Sequence, residues 1–333
     1  MCVCFLCLIF YLSLGVYNKK YTQTDFFTTK DYTMAISNSY ITNLDYNHNK
    51  ISENKTFVIL EIIIKANGRN EKELNLARPE LIVGYNKYYH DIDYYDKFVD
   101  IGNSYNYEKI DNNFVKYLLV YPIDKNDVDK KMTFRYVDDT SITSTEAKSI
   151  NVSIVARNLD EIKGTKKYQL GDTIDFSDSI LGETKLTINS EEINSIFTLN
   201  YDFCVEKNEC YKSIEYVKPS ILNNYDKTLV KLDGVIDWDI NAARTKTTDL
   251  FKFMSLYGRF KYKIGEDEKN DSTLLKTVKP VRVNEANVYY IEAIKEVENA
   301  SQLEIEFRIR DYIYIYKLFK NKKYCYFLLL YKK

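Results

Sequence analysis

The sequence predicts a mainly β protein made of two antiparallel sandwiches in tandem, with one short helix in the second. Three observations carry that expectation. Short runs of β-branched and aromatic residues recur along the chain, set off by Asn, Asp, Lys and Gly. Helical spacing governs a single stretch near residue 250. Two blocks order their polar and apolar residues alike, as copies of one module would, and 333 residues suffice for about two domains.

Composition narrows the class. Lys and Arg number 47 against 48 Asp and Glu, a formal charge of −1, so no long-range field steers the chain toward nucleic acid, and none is expected as a partner. The chain has 10 Gly and 4 Pro, where average usage would give roughly 40 together. That excludes collagen-like and Gly/Pro-rich disordered chains. It also leaves few glycines for backbone cradles around phosphate. Hydrophobic residues make up 45% of the chain and supply ample apolar area for folded cores. Heavy use of Asn, Lys, Ile and Tyr beside sparse Gly, Pro, Ala and Arg is the bias of AT-rich coding. Clusters such as Tyr88-Tyr89 and Tyr94-Tyr95 are therefore not read as recognition surfaces on composition alone.

In chain order, residues 1–20 form an apolar leader. MCVCFLCLIFYLSLGV, residues 1–16, carries no charge and stops short of the roughly 17–25 residues that span a bilayer. It lacks a basic start, although Ser13-Leu14-Gly15 is a passable cleavage site. The expectation is an anchor or export signal, its basic start lost through a misplaced initiator Met. Membrane contact falls on residues 1–17 and the body lies outside the cytoplasm. Lys19-Lys20 would, by the positive-inside tendency alone, argue the opposite orientation.

The first sandwich is placed at 24–145, with strands over Phe57–Ile64, Phe114–Tyr121 and Met132–Val137. A linker and joining strand occupy 146–165, where NLDEIKGTKKY is charged and carries Gly164. The second sandwich is placed at 166–318, with strands over Thr184–Ile188 and Val288–Ile294 and a strictly alternating one over Leu303–Arg310. Thr247–Gly258 starts with capping residues, spaces its apolar positions helically and stops at Gly, as a short helical crossover should. The repeat aligns Met34–Ile41 with Leu186–Ile193, and the late segment Leu119–Tyr136 with Glu292–Phe307. Residues 319–333 read as an extension beyond a last strand ending near Leu318, or as a second membrane-contacting segment.

At Tyr32 to Asn43, Thr56 to Asn67 and Phe114 to Tyr136 the chain resembles a family of telokin-like, immunoglobulin-fold domains of unknown function. These occur in tandem in secreted lipoproteins and membrane-anchored proteins of low-GC Gram-positive bacteria. The first block carries the closer match and the second is looser because of its inserted helix. The Gly-rich turn that the family often places before its last strands is absent here. The resemblance implies immunoglobulin-like antiparallel sandwiches and an extracytoplasmic location, and it brings no catalytic residues.

Chemistry is sparse. A Ser-His-acid hydrolase needs a positioned His, and the two available, His48 and His90, accompany no Gly-x-Ser-x-Gly turn. No phosphate loop, His-Glu-x-x-His helix or dinucleotide fingerprint occurs. Two acidic groups are candidates for Ca²⁺, which takes six to eight oxygens: Asp91, Asp93 and Asp96, and separately Asp237 and Asp239. The second opens like an EF-hand loop, but Ala242 and Thr248 stand where that loop needs Gly and Glu. Trp238, between those carboxylates, is either a stacking residue for a sugar or a core plug.

Cys204 and Cys210 bracket the turn-like Val-Glu-Lys-Asn-Glu. A disulfide closing a hairpin there would suit an oxidising exterior, with free thiols as the alternative; zinc would lack two further ligands. The functional expectation is a non-enzymatic, envelope-associated protein that presents loops or edge strands to an unknown partner without a cofactor. A carboxylate-only glycosidase using Asp237 and Asp239, or a passive spacer, is the alternative.

Overall fold

The computed structural model describes residues 21–29, 32–66, 79–102, 108–109, 114–137, 149–206, 209–220, 226–237, 250–270, 275–283 and 287–318. The anticipated leader and tail, and with them Trp238, Asp239 and Thr247–Asp249, lie outside these residues. The chain divides into two compact units, with the boundary between Glu161 and Ile162.

The first unit holds β1 (Tyr21–Thr22), β2 (Phe27–Thr28), β3 (Tyr32–Thr42), β4 (Lys55–Ala66), β5 (Pro79–Val83), β6 (Asn86–Tyr89), β7 (Glu108–Lys109), β8 (Val115–Asp124), β9 (Met132–Val137), β10 (Ser149–Ile154) and β11 (Arg157–Asn158). They form two sheets, in the orders β1-β10-β9-β5-β6 and β11-β3-β4-β8-β7, with β2 beside β3. Residues 146–165, assigned from sequence to a linker and joining strand, thus place β10 and β11 within the first unit. Phe134, Tyr136 and Val152 from one sheet meet Ile36, Leu60 and Leu119 from the other in a single buried cluster, which is the sandwich core. Alternation accounts for these strands: in β9, Met132, Phe134 and Tyr136 are buried while Thr133, Arg135 and Val137 are only half-buried.

The second unit holds β12 (Gly164–Gln169), β13 (Thr173–Asp175), β14 (Lys185–Asn194), β15 (Phe197–Glu206), β16 (Glu209–Val217), β17 (Lys227–Asp237), α1 (Leu250–Tyr257), β18 (Gly258–Ile264), β19 (Asp267–Asn270), β20 (Lys276–Val278), β21 (Val288–Ile294), β22 (Gln302–Ile309) and β23 (Tyr312–Lys317). Its sheets run β12-β23-β22-β18-β19 and β13-β14-β17-β21-β20, and β15 pairs with β16 alone.

These orders repeat those of the first unit except at one edge, where β13 runs antiparallel to β14 as β2 does to β3, and the first unit adds β11 parallel to β3. In both, the opening strand pairs in parallel with a late one, β1 with β10 and β12 with β23, although in the first unit β11 follows and pairs in parallel with β3. The segments aligned from sequence, Met34–Ile41 and Leu186–Ile193, lie in β3 and β14. Each shifts register at the same point, between Ile36 and Asn38 and between Ile188 and Ser190. A 3₁₀ turn joins β8 to β9 and another joins β21 to β22.

The helix lies where the sequence places it. α1 packs Phe253 against Phe176 and Phe307, at 5.3 and 5.5 Å between ring centroids, and Phe176 in turn meets Tyr314 at 4.7 Å. Helix passes straight into strand at Gly258. A Cβ there would come within 2.7 Å of a Leu275 methyl and 2.8 Å of the Met254 carbonyl oxygen, so no larger residue fits without displacement. Across the sandwich, the Tyr316 hydroxyl of β23 accepts the Gly171 N–H at 3.0 Å and lies 2.9 Å from the Ile188 carbonyl at the β14 bulge. A buried hydroxyl so satisfied ties one sheet to the other.

Candidate functional site

One feature of the second unit with no counterpart among the described residues of the first is the β15–β16 hairpin. Between β3 and β4 the first unit has only residues 43–54; between β14 and β17 the second inserts a ribbon of its own. Two strands alone are marginal in water, and several interactions compensate. At the base, Phe197, Leu199 and Val217 are buried in a cluster with Leu229 and Tyr290. The Phe197 and Tyr290 rings lie 5.2 Å apart, and the Lys231 ammonium sits 5.8 Å over Phe197. Glu215 accepts backbone N–H bonds from Val281, from Arg282 at 2.8 Å and from Val283 at 3.0 Å. Partial burial pushes its carboxyl up, but the three N–H donors outweigh that and hold it below the usual range.

Further out, Lys212 pairs with Asp202 at 2.8 Å. Near the tip Cys204 and Cys210 stand directly opposite in the ladder and are joined, with Sγ–Sγ at 2.01 Å.

The stabilised ribbon is apolar where it should be polar. Opposed residues of an antiparallel pair share a face, so one face runs from buried Leu199 through Tyr201 to the Phe203–Tyr211 pair. The other carries Tyr216, Ile214, the Asp202–Lys212 pair and the disulfide. Phe203 is 45% exposed, Tyr211 57%, Ile214 52% and Tyr216 61%. Phe203 and Tyr211 are thus exposed on one face, and Ile214 and Tyr216 on the other.

No family model matches the chain, and no curated protein matches it. Solved structures do, at low similarity. A candidate lipoprotein from Bacillus subtilis subsp. subtilis str. 168 shares 15% identity at a TM-score of 0.28, over 40% of this chain. The chain spans 38% of that protein's length. A candidate lipoprotein from Staphylococcus aureus subsp. aureus NCTC 8325 shares 11% identity at a TM-score of 0.24, over 39% of this chain and 89% of that one. An uncharacterised β-sandwich protein from Clostridium difficile 630 shares 12% at a TM-score of 0.27, over 41% and 95%.

The acidic residues singled out from sequence do not converge. Asp91 spends its carboxylate capping the 3₁₀ segment Ile92–Phe98, accepting the Asp93 N–H at 3.0 Å. Asp96 pairs with Lys97 at 3.0 Å and Asp93 is exposed. Asp237 ends β17 in the other unit, opposite Lys185. Among the described residues no group of three or more His, Cys, Asp or Glu is placed to hold a metal ion. Of the two histidines, His48 sits half-buried in the 43–54 loop, and His90 has the Tyr95 hydroxyl 3.2 Å from its Nδ1.

One cluster escaped the sequence reading. Asp127, in the 3₁₀ turn Lys125–Asp127, is almost wholly buried. It accepts from the Asn86 amide at 2.6 Å, the Tyr88 hydroxyl at 2.5 Å and the Lys130 ammonium at 2.5 Å. These donors, Asn86 foremost, hold its carboxyl down at about 2. Burial and the Asp127 acceptor push Tyr88 up to about 12. The cluster fastens the edge strand β6 to the turn, with the Asp127 carboxylate engaged by three donors, and serves the fold.

Proposed function

We propose that this is a non-enzymatic, envelope-associated protein that uses the β15–β16 hairpin of its second unit to dock a protein partner outside the cytoplasm. In this reading both units are immunoglobulin-like, telokin-like sandwiches that carry the hairpin. The observation behind it is the ribbon itself: anchored at its base, stapled near its tip, and displaying Phe203, Tyr211, Ile214 and Tyr216 to solvent. Aromatic anchors of this kind dominate protein interfaces. The disulfide supports an oxidising location, because such bonds persist outside reducing compartments.

The test places a photo-crosslinking residue at Ser213, between the exposed pairs, in the full chain and in the same chain carrying Phe203→Ser with Tyr211→Ser. One discrete adduct in the envelope fraction, lost in the substituted chain, is expected. An identical adduct pattern in both chains, or a purely cytosolic location, would overturn the proposal. Loss of function on deleting a unit, with hairpin substitutions silent, would favour a passive spacer.

A further inference from the structure

We infer that the outer face of the β12-β23-β22-β18 sheet is a docking surface for a linear, phosphate-bearing polyanion. The inference is independent of the hairpin. Register places Lys167 of β12, Lys317 of β23, Arg308 of β22, and Arg259, Lys261 and Lys263 of β18 on this face. On the same four strands the only carboxylates sharing it are Glu304 and Glu306. In a chain of net charge −1 this is a local concentration of positive charge. Four of the lysines, 167, 261, 263 and 317, line a groove of about 290 Å³ floored by the buried Ile315.

The carboxylates offset part of this charge, but Glu304 and Glu306 against six cations on the four strands leave a positive balance, with Glu304 itself in the groove lining. Glu306 is 1% exposed and is engaged by Lys261 and Arg308. Glu304 lies 3.7 Å from Lys317. Among the described residues no ion pair engages Lys167 or Lys263. Strands stand about 4.8 Å apart and alternate residues about 6.6 Å, which is less than the roughly 8 Å over which physiological salt screens charge. The lysine fields therefore add.

Geometry selects a polymer. From β18 to β12 is three strand spacings, about 14 Å, so a single small anion cannot reach both walls while an extended chain can lie across them. Concavity favours a chain over a flat bilayer surface. Phosphate suits a lysine-lined site because the ammonium is a compact point charge with three rotatable donors.

The test is titration of the full chain with inorganic polyphosphate at low and physiological salt. The variant is Lys167→Gln with Lys317→Gln, both at exposed strand positions. The control is Lys185→Gln with Lys218→Gln, the same change in charge at exposed positions outside the groove lining. Binding should weaken as salt rises. It should fall about tenfold in the variant, with a log–log salt slope shallower by roughly 1.4, as for two lost cation contacts on a flexible strand. The control should match the unsubstituted chain, and melting curves should coincide for all three. An absence of binding, or equal loss in variant and control, would overturn the inference. So would orthophosphate binding as tightly as the polymer, tighter binding to vesicles of anionic phospholipid, or preference for single-stranded DNA.

Discussion

The two units share their strand order at all but one edge and yet treat the same two connections differently. Where β3 passes to β4 through residues 43–54, β14 passes to β17 through a stapled ribbon. Where β8 passes to β9, the 3₁₀ turn is anchored by buried Asp127 and its polar partners, while the corresponding turn between β21 and β22 is anchored by buried Val297. The shared framework is fixed by sheet pairing, and the connections are left to vary. The ribbon adds apolar surface without being needed to fill either sheet, so the proposed binding role belongs to the insert and not to the sandwich.

The largest expected effect tests the framework itself. Ile36 and Ile188 are fully buried at matching positions beside the two bulges. Ile36→Ala and Ile188→Ala should each cost about 2–5 kcal/mol, by lost burial and the cavity left behind. Urea unfolding of the full chain measures both, and a loss below about 1 kcal/mol at one position would break the equivalence of the units.

Next comes the insert. Replacing Cys204 and Cys210 by Ser opens a loop of sequence separation 6, for which closure entropy gives about 2 kcal/mol. Because β15 and β16 pair only with each other, the cost should fall on the ribbon. Faster proteolysis between residues 200 and 213 with little change in overall melting is expected; an equal fall in melting of the whole unit would show the ribbon to be structural.

The third prediction separates the two turns by pH. Asp127 is held near 2 against an ordinary 3.8. A carboxyl depressed in the folded state stabilises above its unfolded value, and that stabilisation fades as pH falls from about 4 through about 2. Asp127→Asn should therefore lower the melting temperature at pH 6, with the difference shrinking toward pH 2. Val297→Ala should cost the same at both pH values. The smallest effect is on the ribbon's surface: Phe203→Ser should change stability by less than about 0.5 kcal/mol while abolishing the crosslink.

Much of the framework could be read from the sequence because alternation reports burial directly. Leu303, Ile305, Phe307 and Ile309 are all buried in β22. The Met34–Ile41 and Leu186–Ile193 alignment held down to the bulge. Central strand β17 is not evident from its sequence: its end carries Asp237, which reads as a ligand residue, although Leu229, Val230 and Leu232 are fully buried. Local composition competes with periodicity there, and a bulged partner strand tolerates Gly234. The site was less legible. The spacing of Cys204 and Cys210 suggested a hairpin, but nothing local distinguishes an outward Phe203 from a core phenylalanine. Exposure depends on whether a second sheet covers the strand, and that is decided by residues far away in the chain. The Lys167–Lys317 groove is hidden for the same reason, its cations being dispersed from residue 167 to residue 317.

The parallel pairing of first and last strands has a mechanical side. In the second unit β12 begins the fold and β23 ends it, and six consecutive residues of each lie side by side. Tension applied through the two ends would pull these strands in opposite directions along their length, so the slanted hydrogen bonds between them would be sheared together instead of being unzipped singly. In the first unit the comparable parallel clasps, β1 on β10 and the terminal β11 on β3, span only two residue pairs each. Under load the first unit should yield before the second, and the ribbon would stay displayed on the part of the chain that holds.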